Sequence, residues 1–183
     1  MAVSITATVG SATANSYVTL VEADAALEAR LNVSAWDDAT DDVKNRALVE
    51  AQAELQTLDW VGTRTDAVQA LAWPREYAIN PDAPSDADLD LLPEPTYLDD
   101  EIPVRVKNAQ IELAFQFIKA GTTDLAMPLS NEGVISKTIG PLNTQWAGPG
   151  LRPTRGLARF PRVMALLAPL LTSGNGSIAV VRA

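Results

Sequence analysis

Hydrophobic and polar positions repeat with a helical period along four stretches of the chain, and one stretch is far more apolar than the others. Residues 102–120 are apolar around most of the helix circumference, and Pro103 and Gly121 suit the two ends. An ordinary surface helix has the opposite balance. The pattern predicts a central helix covered on two or more sides, by its own chain or by a neighbouring copy. Its narrow polar stripe is expected to face water, a channel or a charged partner: Arg105, Asn108, Glu112, Gln116 and Lys119.

The same period predicts three further helices. Thr19 and Glu22 have the spacing of a capping box, so a helix is expected over residues 20–31. A second helix is expected after Thr40, over residues 40–58, with a solvated face that includes Gln52. A third is expected over residues 161–171, kinked or ended at Pro169. The first two have these buried stripes: Leu20, Ala23, Leu27 and Leu31; and Val43, Ala47, Ala51, Leu55 and Leu58.

Strand-like alternation is weaker and is confined to one place. Residues 134–139 and 142–146 flank Gly140-Pro141 and predict a β-hairpin. Residues 1–18 are interpreted as an irregular arm, 32–38 as a loop that carries Trp36, and 59–101 as a long acidic connection. The predicted fold is mainly α: a small bundle of three to four helices with a β-hairpin insertion and extended terminal arms. It forms a single domain over residues 1–172.

The tail, residues 173–183, is predicted to be flexible. It begins with a Ser/Gly/Asn segment and ends in an apolar run followed by a base: Ile178, Val180, Val181 and Arg182. A short β-prone tail of this kind suits strand addition to a partner, or it frays as chain ends do.

Two tryptophans mark the apolar positions of the long connection. Trp60 and Trp73 plug the core between helices in one interpretation, and stack on a ligand in the other. The core interpretation is favoured, because buried aromatic residues dominate protein cores.

Charge is distributed very unevenly. Residues 1–101 hold 5 Lys/Arg against 20 Asp/Glu, a net charge of −15, whereas residues 102–183 hold 9 against 3, a net charge of +6. Such polarity bears on partners rather than on fold. The predicted partner interface is the basic set Lys137, Arg152, Arg155, Arg159 and Arg162, together with the apolar and basic tail residues. Three environments are open for these bases: solvent, an acidic protein surface such as that of a second copy, and nucleic acid, with Trp146 and Phe160 nearby in the sequence.

Catalysis, cofactors and metals find little support in the sequence. The chain has no histidine and no cysteine, which removes the commonest general base and the thiolate nucleophile. No phosphate-binding loop or nucleophile elbow is present. Asp86, Asp88 and Asp90 open like a calcium loop, but Leu91 and Tyr97 occupy the positions that need Gly and Glu. No run is long enough to span a membrane, and no signal peptide is recognised.

Nine short segments, taken together, resemble a family of small tailed-phage proteins. The resemblance covers about residues 16–171. The run that ends in Trp73, Pro74 and Arg75 is its most specific part, and in that motif Trp60, Trp73, Pro74 and Arg75 are expected to be mainly structural. The segments, in the family's order, are SYVTLVEAD at 16–24, AW at 35–36, WVG at 60–62, RTD at 64–66, QALAWPR at 69–75, EIP at 101–103, VKNAQ at 106–110, KTIGP at 137–141 and LLAPLL at 166–171.

Members of this family are often labelled DnaT-like single-stranded-DNA-binding proteins, and the family resembles head–tail connectors, or adaptors. The resemblance implies a ring, commonly twelve-fold, at the neck of the virion. The ring would bind the portal and a tail or second neck protein and extend the channel for the genome. The alternative is a single-stranded-DNA-binding protein of phage replication. Val61, where many members have a base, and the longer acidic insert at 80–100 weaken the DNA-binding label for the N-terminal half.

Overall fold

The computed structural model of this chain describes residues 3–83, 96–121, 136–139, 142–145 and 156–172, of which 136–139 and 142–145 by their backbone alone. The chain divides into two compact units. The first, here called the main unit, comprises Met1–Thr123 and Arg162–Ala183, and the second comprises Asp124–Pro161. The predicted fold class, mainly helical with a small hairpin, is confirmed.

Helix α1 (Leu20–Glu28) begins as predicted, at a capping box. The Glu22 amide donates to the Thr19 hydroxyl at 3.2 Å, and the Thr19 amide donates to the Glu22 carboxylate at 2.7 Å. The predicted extent was wrong, because the helix ends a turn earlier. Leu31, expected on the buried face, is 89% exposed. Asn32 has a left-handed backbone conformation, φ 61°, which cannot continue a right-handed helix.

Helix α2 (Ser34–Asp37) lies where a loop was predicted. It buries Trp36, whose indole N–H donates to the Asp24 carboxylate at 2.8 Å. Lys44 contacts the same carboxylate at 3.2 Å and lies 5.5 Å from the Trp36 ring centroid. The prediction was wrong because one helical turn holds too few residues to show a period.

Helix α3 (Asp41–Leu55) ends three residues before the predicted boundary. Two of its residues were assigned to the wrong face: Val43, predicted to be buried, is 45% exposed, and Gln52, predicted to be solvated, is buried. Asp42 in the first turn accepts the Val3 amide at 2.9 Å, which joins the N-terminal segment to this helix. That amide, followed by Arg46, holds the pKa of Asp42 below its usual range.

Helix α4 (Val104–Ala120) is the centre of the main unit and forms its most extensive helix pairing with α3. Helices α1, α2 and α3 contact this helix, and its longest buried run is Ala109–Phe115, without a break. The expected polar stripe is interrupted, since Glu112 is buried and Asn108 and Lys119 are exposed. The prediction that a neighbouring copy covers the apolar excess of α4 therefore loses its physical basis.

Gln110 on α4 joins three parts of the main unit. Its side chain is fully buried and accepts the Tyr17 amide at 2.9 Å. It donates to the Ser16 hydroxyl at 2.8 Å and to the Leu48 carbonyl of α3, also at 2.8 Å. Residues 3–18 form no helix or strand in this structure, but through these bonds their C-terminal part becomes core. A buried amide with every polar atom paired fixes the register of its neighbours.

Tyr17 predicts an alkaline instability. Burial raises the pKa of its hydroxyl to about 12. The raised folded-state pKa means that stability is complete below pH ~10 and is lost between pH ~10 and ~12, by roughly 2 to 3 kcal/mol. Since the hydroxyl has no hydrogen-bond partner among the described residues, Tyr17→Phe should change stability little at pH 7. It should also flatten the alkaline loss, which urea unfolding across pH measures; an unchanged profile would contradict this assignment.

Residues 59–83 connect the helices through aromatic packing and a minimal strand pair. Strand β1 (Thr63–Arg64) pairs antiparallel with β2 (Arg75–Glu76). Trp73 lies edge-to-face between Trp60 and Tyr97, with ring centroids 5.9 Å and 5.8 Å apart. All three rings are buried, so the structure places both tryptophans of this connection in the core.

The last described segment closes the main unit. Helix α5 (Pro161–Leu167) runs into a 3₁₀ turn (Ala168–Leu170) that contains Pro169. Leu171 then bridges Trp60, and the Val61 amide donates to the Leu170 carbonyl at 3.0 Å. In the second unit, β3 (Ser136–Ile139) and β4 (Leu142–Gln145) pair antiparallel as predicted, and a 3₁₀ turn spans Gly156–Arg159.

Candidate functional site

The predicted basic interface is only partly within the described residues. Arg162 lies in the first turn of α5, Arg159 in the 3₁₀ turn before it, and Lys137 on the backbone of β3. The Arg159 guanidinium lies 6.0 Å from the Phe160 ring centroid. Arg152, Arg155, Trp146 and the tail residues Ile178, Val180, Val181 and Arg182 lie outside the described residues. Asp86, Asp88 and Asp90, whose spacing resembles only the start of a calcium loop, lie outside them as well.

Arg162 takes part in an ion-pair cluster inside the main unit. The buried Glu112 carboxylate receives Arg30 at 2.8 Å and Arg162 at 3.2 Å on one oxygen. Gln116 donates to the other oxygen at 2.8 Å. Arg30 also lies 5.4 Å from the Phe115 ring centroid. The cluster anchors α5 to α4, so part of the charge predicted to meet a partner is neutralised within the chain.

Glu112 should couple more strongly to Arg30 than to Arg162. The Arg30 side chain is 24% exposed and that of Arg162 65% exposed, so solvent screens the second pair far more. We expect Glu112→Gln to lower the free energy of unfolding by about 1 to 3 kcal/mol. In double-mutant cycles read by urea unfolding, the Arg30→Gln coupling should exceed the Arg162→Gln coupling, which should stay within about 1 kcal/mol. Equal couplings would refute the difference in screening.

Arg75, the last residue of the Trp-Pro-Arg motif, is held by backbone carbonyl oxygens. Its guanidinium donates to the carbonyls of Val61 at 2.6 Å, Gly62 at 2.6 Å and Ala72 at 3.1 Å. Burial, followed by repulsion from Arg64 on the neighbouring strand, lowers the pKa of Arg75 from its usual value. Because its donors are used to fix the loop, Arg75 is poorly placed to bind a phosphate.

The aromatic side chains are mostly inside the main unit. Seven of them are buried: Tyr17, Trp36, Trp60, Trp73, Tyr97, Phe115 and Phe117. Base stacking on single-stranded nucleic acid needs aromatic faces that successive bases can reach. Among the described aromatic residues, Tyr77 is 76% exposed and Phe160 is partly exposed, and they lie in different units. The described residues therefore offer no row of stacking faces.

The described surface of the main unit is also acidic. Residues 3–83, 96–121 and 162–172 together carry 17 Asp/Glu and 9 Lys/Arg, a net charge of −8. Phosphate contacts dominate nucleic-acid affinity and need the opposite sign. Within these ranges no cluster of acidic side chains could hold a metal ion. No helix in the described part of the chain could span a membrane.

One surface feature was not predicted. Tyr77, Ile79 and Leu98 are 76%, 50% and 67% exposed. Backbone pairing of Ile79 with Thr96 brings them to one side of the main unit. The sequence held a signal for it, the alternation of Tyr77, Ala78 and Ile79. A run of three residues was too short to separate a strand from a loop.

Comparison with known protein families identifies a relationship. A family model described as "Putative DnaT-like ssDNA binding protein" matches residues 1–183, so the match includes both compact units. Neither a curated protein nor a solved structure matches the chain.

Proposed function

We propose that this chain, which belongs to the family of putative DnaT-like ssDNA-binding proteins, has a structural role and assembles as a head–tail connector. Copies of the chain would form a ring between the portal and the tail of a phage particle. The observation that carries the proposal is the acidic main unit, which keeps nearly all of its aromatic rings inside. An acidic surface with few accessible aromatic rings is better suited to contacts with proteins than to DNA binding.

A channel for the genome gains from negative charge. Duplex DNA binds where bases neutralise its phosphates and release counterions, and it is repelled where the wall is acidic. The described part of the main unit, with 17 acids against 9 bases, would supply such a wall. The genome would then slide past the ring without sequence-specific binding.

The opposite halves of the charge distribution supply the assembly contact. Residues 137–162 hold five Lys/Arg and no Asp/Glu, and one of the five, Arg162, is already paired with Glu112. Residues 1–101 have a net charge of −15. Complementary potentials steer association and set the register between copies. The basic region of one copy would meet the acidic half of the next copy or an acidic face of the portal.

The second candidate is single-stranded DNA binding in phage replication, and the family description favours it directly. Its binding residues would be Trp146, Arg152, Arg155, Arg159 and Arg162. Arg162 is already engaged with Glu112. The main unit would contribute little, because its described surface is acidic and its rings are buried.

Oligonucleotide binding across a salt series separates the two candidates. Four arginines on a single strand give a slope of log K against log salt near −3. The connector proposal predicts weak binding with a shallower slope, and little change when Arg152 and Arg155 are replaced by glutamine. A matched control replaces Arg64 and Lys119 of the main unit. Tight binding with a steep slope that only the Arg152/Arg155 variant loses would favour the replication protein.

A further inference from the structure

An exposed apolar patch lies at one edge of the main unit, formed by Tyr77, Ile79 and Leu98. The residues come from two separate segments that an antiparallel bridge between Ile79 and Thr96 brings together. The Tyr97 amide donates to the Ala78 carbonyl at 3.0 Å and fixes the register. Tyr77 and Leu98 are exposed, and each is next to a buried residue of this pairing, Ala78 and Tyr97.

The inner side of the same pairing is core. Ala78 and Tyr97 are buried, and the Tyr97 ring packs against Trp73. Side chains therefore alternate between inside and outside on both segments. Single exposed hydrophobic residues are ordinary on a protein surface, whereas several on two paired segments favour an interaction site.

Tyr77 is held outward by an uncommon backbone conformation. Its φ of 58° lies in the left-handed region, which non-glycine residues rarely adopt. Such conformations persist where the surrounding structure fixes them, and they concentrate at binding sites. Here the next residue, Ala78, is fixed in the core. Tyrosine is also among the residues that most often anchor protein interfaces.

Acidic side chains border the patch. Asp99 and Asp100 are exposed directly after Leu98, and Glu101 follows them. Asp82, on the other segment, forms a two-point ion pair with Arg105 at 2.6 Å and 2.5 Å, which ties this edge to the start of α4. An apolar centre with an acidic rim suits a partner that is apolar and basic.

We propose that this patch docks residues 137–162 of a second copy of the chain. That region carries five bases without an acid, together with the partly exposed ring of Phe160. The inference rests on the proposed assembly function and names one of its contacts. A contact between two different surfaces is heterologous, and repetition of such a contact generates a ring when the rotation closes.

The first test replaces the patch and measures self-association by sedimentation velocity over a concentration series. The variant is Tyr77→Asn with Leu98→Ser, because asparagine tolerates the left-handed backbone and the fold should survive. The control is Val21→Asn with Leu31→Ser, two comparably exposed residues in and after α1. We expect the patch variant to weaken self-association about tenfold or more. The control should leave it unchanged.

The second test identifies what the patch contacts. The chain has no cysteine, so Leu98→Cys provides a single attachment point for a photo-crosslinker. Isotopically light and heavy copies are mixed, with and without the portal, so that mass spectrometry distinguishes links between copies from links within one. We expect links from position 98 to residues 137–162 of the other copy.

Three outcomes would overturn the inference, and they bear differently on the function. Self-association that survives in the patch variant, or links within one copy alone, places the contact elsewhere while assembly stands. The absence of any link between copies, with a portal complex still formed, removes this contact and leaves portal docking intact. The absence of both self-association and a portal complex removes the proposed function together with the inference.

Discussion

Replacing Gln110 with leucine should lower the free energy of unfolding by about 3 to 5 kcal/mol, although the two side chains are similar in volume. The substitution leaves the buried Tyr17 amide without an acceptor and removes the donors to Ser16 and to the Leu48 carbonyl. A buried polar group that loses its partner costs its full desolvation, and here several are affected at once. Urea unfolding followed by circular dichroism measures the change.

Gln52→Leu is the matched control for that prediction. Gln52 is also buried, on the neighbouring helix α3, but its side-chain nitrogen makes no hydrogen bond among the described residues. Its replacement should therefore cost less than about 1 kcal/mol. If the two leucine variants lost equal stability, the three-way junction at Gln110 would not be what holds residues 16–18 in the core.

Gly62→Ala should be the second most damaging substitution, with a loss of about 3 kcal/mol or more. Gly62 has φ 71°, and a Cβ there would collide with the Glu76 carbonyl oxygen and approach the Ala78 nitrogen to 3.1 Å. Its own carbonyl accepts Arg75, so the loop cannot move away without breaking that bond. Because Glu76 and Ala78 flank Tyr77, the collision should also disturb the exposed apolar patch.

Gly10→Ala separates the two causes of that loss. Gly10 has φ 69°, but a Cβ there meets nothing within 4 Å. It should cost only the left-handed backbone penalty, about 1 to 2 kcal/mol. Thermal unfolding of both variants measures the difference between their losses of stability, and that difference is the cost of the steric collision at Gly62. Equal losses would show that the backbone conformation alone matters there.

The periodic helices were the predictable part of the fold. The capping box of Thr19 and Glu22 predicted the start of α1. Gly121 has the left-handed conformation, φ 68°, that ends α4. The hairpin at 136–145 was visible from its alternation around Gly140-Pro141. These features depend on residues close together in the sequence, and local patterns report them well.

The sequence left two covers open for the apolar excess of α4, its own chain or a neighbouring copy, because the segments that cover it are not periodic. Residues 16–18 reach the helix through Gln110, and α2 adds Trp36 from a single turn. Neither segment has a pattern that predicts burial. Glu112 was assigned to the solvent stripe by its charge, whereas Arg30 and Arg162, both distant in sequence, allow it to be buried. Assembly is therefore better argued from charge and from the patch than from α4.

The measurement that tests the central claim most directly is the mass of the chain mixed with the portal protein of the same phage. Native mass spectrometry, or sedimentation velocity, on portal alone, chain alone and the mixture gives the stoichiometry. The connector account predicts a discrete complex in which a ring of several copies adds to the portal, and in which oligonucleotide does not compete. Two unmixed species, together with tight and salt-sensitive binding of single-stranded DNA by the chain alone, would contradict it.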